Sequence, residues 1–406
     1  MDMVCQKTDD CPINMETDPL QPYSDGKYIR AKGTSLGADN GIGIGSCFAL
    51  LADKELKHGP LEILVTRDEE TGLYGAASLE PGVLKAKYLI NVDSEERCQI
   101  CIGCAGGFTY KVNLKAEREA VEGYAIKKLV INNTCGGHSG VQINLGRCNP
   151  VHVMARLLKS TKINYRVVSM ECGTAHNAIP RKCEALIAVP KADEAAFVEQ
   201  VTAEFKSFAH EYRKIEPNAT FDVTDAEAPY APATEECTKK LINFLNIIPF
   251  GPMRMSSEVE GLVETSMILA VTKSCEASFD FIGSVRSSSG TQIEMMYRKL
   301  QCFCDVVGAT LSEKIGQYPA WEPNADNLVT KVLQQAYREE TKEEPLIYAI
   351  HAGLECGLFL DKYPYMECTS IGPEVHFPHS PDETLLISSV EEFIRVLKRS
   401  VELFAN

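Results

Sequence analysis

The chain has 406 residues, 45% of them hydrophobic, and a formal net charge of −15 at pH 7. That length exceeds one ordinary core, so two domains are expected, and the acidic balance without a basic patch excludes nucleic acid as a partner. No apolar run reaches the roughly eighteen residues that cross a bilayer, and the N-terminus lacks a basic-then-apolar leader, so the expectation is a soluble, cytoplasmic protein with no membrane partner.

Along the first hundred residues apolar runs alternate with helical patterns. LEILV (Leu61 to Val65) and KYLINV (Lys87 to Val92) read as strands, each running into acidic residues. The pattern is that of an α/β sheet with its chemistry at the strand ends. GIGIG (Gly41 to Gly45) does not have dinucleotide spacing, and no acid follows at the expected distance. Cys98, Cys101 and Cys104 lack a second pair at zinc-ribbon spacing, and the sixteen cysteines read as reduced, mostly buried thiols.

After Gly106-Gly107 the strands lengthen, as in TYKVNL (Thr109 to Leu114) and RVVSM (Arg166 to Met170), and an amphipathic helix is expected over Asp193 to Arg213. This block reads as an inserted α+β domain. YPAWEPNAD (Tyr318 to Asp326), with two prolines and the only tryptophan, marks its exit. The expected division is a catalytic α/β domain over 1–106 and 319–406, with a central mixed sheet flanked by helices, and an inserted lid domain over 107–318. Ser388-x-x-Glu391 reads as a capping box for a final helix carrying Val390, Phe393, Ile394, Leu397 and Val401.

Asp39 in LGADNG, Glu69 and Glu70 in RDEETG, and Asp93 in NVDSEE each lie in a turn beside an apolar element. Carboxylates converging from such positions repel one another unless a cation sits among them, which points to a metal site. His379 in FPHSPDE offers a nitrogen ligand on a backbone stiffened by Pro378 and Pro381. Because Glu69 and Glu70 are adjacent, one is free to bind metal while the other faces substrate as a general base. Taken singly, each acid reads better as a solvated loop residue; only their convergence points to metal.

Together with CAGG, GGHSG (Gly136 to Gly140), NAIPR (Asn177 to Arg181), GLVETS, YPAWEPN, HAGLECGLF and GPEVHFPHSPDE, these stretches resemble the aminoacyl-histidine dipeptidase (peptidase D) family of co-catalytic zinc peptidases, in family order from Asp2 to the last helix. The resemblance implies two Zn2+ ions, with Co2+ or Mn2+ able to fill the same ligands. Asp39 would bridge them, Asp93 would complete the first site, and Glu70 and His379 the second. Glu69 would be the general base, His138, Asn177, Arg286 and Gly353 would contact a small peptide such as Xaa-His, and the chain would form a homodimer. His138 is expected to stabilise the oxyanion and Arg286 the terminal carboxylate.

Two departures stand out. The family's first metal motif is His-x-Asp followed by Met-Val, whereas this sequence opens Met1-Asp2-Met3-Val4. The expectation is a start assigned at an internal methionine, with Asp2, the usual orienter of that histidine, left with nothing to orient and the first zinc weakly held. Ile268 stands where relatives commonly carry asparagine. The rival readings are an aminoacylase or deacetylase built on the same metal core, and a non-catalytic binding relative.

Overall fold

The computed structural model describes residues 2–405. The chain divides into two compact units, Met1–Ala105 with Pro319–Asn406, and Gly106–Tyr318.

In the first unit, four strands form a mixed sheet in the order Leu346–Ile350, Gln99–Cys104, Glu367–Ser370, Tyr88–Asn91. The outer pairs are parallel and the central pair is antiparallel. Its core includes Cys101, Cys104, Cys356 and Cys368 packed with Trp321. Helices Ala38–Ala52, Leu328–Thr341, Glu355–Lys362 and Ile387–Phe404 accompany the sheet. A smaller antiparallel sheet joins Pro22–Ser24, Tyr28–Ala31, Thr384–Leu386 and Val375–His376, and so ties residues near 30 to those near 380.

Two local expectations need correction. Leu61 to Val65 is irregular, not a strand, because no ladder partner pairs with it among the described residues. Ser388 does not cap the last helix, which begins at Ile387 with Leu386 at its N-cap. The adjacent Ser389 instead accepts from the Glu374 amide and donates to the Leu386 carbonyl.

The second unit is built on an antiparallel sheet. Its main path runs Thr220–Asp225, Tyr124–Asn132, Cys183–Pro190, Arg166–Cys172, Val263–Ser274, Ser278–Ser287, Gly106–Lys115, Thr310–Leu311. Gly106–Lys115 alternates buried and exposed positions toward its end, the period-two signature of a sheet with one solvated face, whereas Val263–Ser274 is buried over ten consecutive residues. Helices Pro150–Ser160 and Glu235–Ile247 open on Asn149 and Thr234, whose side chains accept from backbone amides of the first turn. No helix among the described residues is long and apolar enough to cross a membrane.

Candidate active site

Asp39 lies in the first turn of the Ala38–Ala52 helix with non-helical φ and ψ. Its loop is held by a carboxylate from far along the chain. Glu383 Oε2 accepts from the Leu36 and Gly37 amides at 2.7 and 3.0 Å, and Oε1 from Ala38 and Asp39 at 2.8 and 3.3 Å. Four converging N–H dipoles satisfy a carboxylate that is 3% exposed. The GIGIG run lies within this helix, and Gly43 permits its close approach to the sheet: a Cβ there would stand 2.5 Å from the Val92 carbonyl oxygen. Asp39 is thereby brought toward Asp93, just beyond the end of Tyr88–Asn91.

Glu69 and Glu70 sit in a tight turn flanked by Asp68 and Leu73, two non-glycine residues with positive φ. Asp2 clamps this turn, its two carboxylate oxygens accepting from the Glu69 and Glu70 amides at 3.2 Å each. Asp2 therefore holds the backbone that carries both glutamates. His379 has φ 58, and Phe377 beside it φ 53. Such left-handed conformations at non-glycine residues persist where the surroundings enforce them, and here they bracket the site.

Asp39, Glu70 and His379 converge so that one ligand atom from each lies within 4.8 Å of the others. His379 Nε2 is 3.0 Å from Asp39 Oδ2 and 3.0 Å from Glu70 Oε2. Hydrogen bonds donated to those carboxylates push its pKa up to about 10, a measure of how much negative charge converges on this point. Asp93 lies outside this tight trio but lines the same cavity, with Asp2, Asp39, Glu69, Glu70 and Glu355. Burial, then the charge of Asp39, pushes Asp93 well up. Burial and the neighbouring Glu70 raise Glu69 to about 7, and burial and Asp39 raise Glu95 equally far. So many carboxylates in one cavity fit a cation site, and two oxygens with one imidazole nitrogen suit a divalent transition metal.

Within the second unit, three of the expected substrate contacts form one patch. His138 pairs with Ala178 in a two-residue ladder, and the Ser139 amide donates to the Asn177 carbonyl at 3.0 Å. Ser284 Oγ reaches the His176 carbonyl, and Arg286 follows two residues later on the same strand face. The Gly140 and Val141 amides converge on His138 Nδ1 at 3.1 and 3.2 Å, which puts the proton on Nε2. Burial, then the Arg286 charge, lowers the His138 pKa and keeps the ring neutral. Gly353 lies in the first unit, in the loop between Leu346–Ile350 and Glu355–Lys362. Ile268 is a core residue, packed with Ile143, Ile179 and Val263.

The profile of Peptidase family M20/M25/M40 matches residues 1–403. The chain belongs to this family. It is 37% identical over 401 residues to the cytosol non-specific dipeptidase of Escherichia coli K12, covering 98% of this chain and 82% of that one. A solved structure, the aminoacylhistidine dipeptidase from Vibrio alginolyticus, superposes with a TM-score of 0.92 at 38% identity, covering 99% of this chain and 82% of that one. As an M20/M25/M40 peptidase the protein is a hydrolytic enzyme with a mixed α/β fold.

Against that membership, two site residues escaped sequence reasoning. Glu383 closes the quoted GPEVHFPHSPDE run, yet nothing local distinguishes it from the loop acid Asp382 beside it. Glu355 heads a helix and is 7% exposed in the cavity wall, with Oε2 accepting from Thr66 Oγ1 at 3.0 Å. Its sequence signal is a glutamate inside the apolar HAGLECGLF run.

Proposed function

We propose that the protein hydrolyses dipeptides of the Xaa-His type in a metal-dependent reaction, with zinc as the resident ion and two ions in the complete site. The convergence of Asp39, Glu70 and His379 within 4.8 Å, among further carboxylates, is the observation that carries this reading. Asp39, Glu70 and His379 would hold one ion, and Asp39 with Asp93 the other. When bound, zinc acidifies a water and polarises the scissile carbonyl.

Glu69 takes the proton of the attacking water and returns it to the leaving amine. Its pKa of about 7 suits both halves of that exchange. Asp2 fixes Glu69 and Glu70 through their amides. By the family resemblance, neutral His138 would offer its Nε2–H to an oxyanion, Arg286 would take a peptide carboxylate, and Asn177 and Gly353 would contact the peptide. The test is hydrolysis of an Xaa-His dipeptide beside an N-acetyl amino acid, before and after chelation. The dipeptide should be cleaved, cleavage should stop on chelation, and zinc should restore it. Faster deacetylation, or cleavage that survives prolonged chelation, would overturn the reading.

A further inference from the structure

In the second unit, Arg286 stands opposite Gly107 in the ladder between Ser278–Ser287 and Gly106–Lys115, and Tyr318 stands opposite the same Gly107 in the ladder with Ile315–Tyr318. The three residues form a line across the sheet, and directly opposed residues share a face. Adjacent strands lie about 4.8 Å apart, so the outer two backbones are separated by roughly 10 Å. Two long side chains meet across that gap only if nothing rises from the residue between them. Gly107 meets the condition, since a Cβ there would sit 3.3 Å from Tyr318 Oη and 2.2 Å from the Val285 carbonyl oxygen. Arg286 Nη1 donates to Tyr318 Oη at 2.9 Å, while its Nε is buried with no hydrogen-bond partner.

A phenol is a neutral acceptor at ordinary pH, so it fixes the guanidinium without cancelling its charge. A carboxylate in the same place would fix it equally well and neutralise it. We propose that Tyr318 is a positioning residue whose hydroxyl, reaching over Gly107, holds Arg286 in place with its charge free for the C-terminal carboxylate of the peptide. The inference rests on the dipeptidase reading above and adds to it the residue that sets the arginine.

The experiment is steady-state kinetics of the zinc-loaded full chain, its Tyr318→Phe variant, its Arg286→Ala variant and the double variant, on an Xaa-His dipeptide and on the C-terminal amide of that dipeptide. Loss of one hydrogen bond predicts that Y318F raises KM for the free acid about three- to tenfold. The kcat should stay within about twofold, and KM for the amide should not move. In the R286A background Y318F should have no further effect, because the two residues act as one unit. An unchanged KM for the free acid would overturn the proposal, as would equal losses on acid and amide, or additive losses in the double variant. Failure of Y318F to fold would also overturn it, since the hydroxyl would then be structural. A parent enzyme that cleaves neither substrate sinks the dipeptidase reading instead.

Discussion

Glu383→Gln probes how the site is held together. The wild-type carboxylate accepts four amides, two on each oxygen. The substitution turns one oxygen into an amide donor, and flipping the side chain only chooses which pair of N–H groups it opposes. Two hydrogen bonds to a charged acceptor are lost, at about 1.5–3 kcal/mol each, giving about 3–6 kcal/mol. That is a large part of the 5–15 kcal/mol that roughly bounds a domain's stability. Trp321, the sole tryptophan and 4% exposed in the same unit, reports the loss by fluorescence during urea unfolding. The same variant should bind zinc at least about tenfold more weakly, because the loop carrying Asp39 loses its anchor. Unfolding within about 1 kcal/mol of the parent, with undiminished zinc affinity, would refute the argument.

Glu69→Gln should lower kcat on a dipeptide by about a hundredfold or more while leaving zinc affinity within about threefold, as stopped assays and equilibrium dialysis would show. Gly43→Ala and Gly45→Ala should have opposite signs in thermal unfolding. A Cβ at Gly43 meets the Val92 carbonyl oxygen at 2.5 Å, which outweighs better helix propensity and destabilises by about 1–3 kcal/mol. At Gly45 it meets nothing within 4 Å, and alanine should stabilise by up to about 1 kcal/mol. His152, stacked on Phe250 with its Nε2 buried and unpartnered, has its pKa lowered to about 4 by burial. The unfolded chain therefore binds a proton below pH 6.5 that the folded chain refuses until about 4, so stability falls as pH drops through that window. The contribution is about 3 kcal/mol, and His152→Phe should flatten that part of the pH profile of urea unfolding followed by circular dichroism.

How far the sequence was readable depends on where each residue's determinant lies. Asp39, Glu70 and His379 stood out because acids beside apolar runs and a histidine between prolines are local patterns, and family resemblance joined them. Their convergence in space is a product of the small sheet that pairs Tyr28–Ala31 with Thr384–Leu386, whose register no local pattern announces. Glu383 was hidden for the same reason, as its partners lie 344 to 347 residues away. Leu61 to Val65 has the composition of a strand, yet a strand exists only through a neighbour's hydrogen bonds, and none pairs with it among the described residues. Ser388 satisfied a capping pattern that the chain bypassed by starting the helix two residues earlier. The Arg286–Gly107–Tyr318 line was invisible because it spans three strands whose registers must all be known.

The central claim is that Asp39, Glu70 and His379 together hold a divalent transition-metal ion. Visible absorption of the protein titrated with Co2+ tests it without reliance on activity. Ligand-field bands should grow to a stoichiometric end point in the parent, and Asp39→Ala, Glu70→Ala and His379→Ala should each weaken or abolish them. A parent that yields only the spectrum of aqueous cobalt, or three variants that titrate as the parent does, would contradict the account.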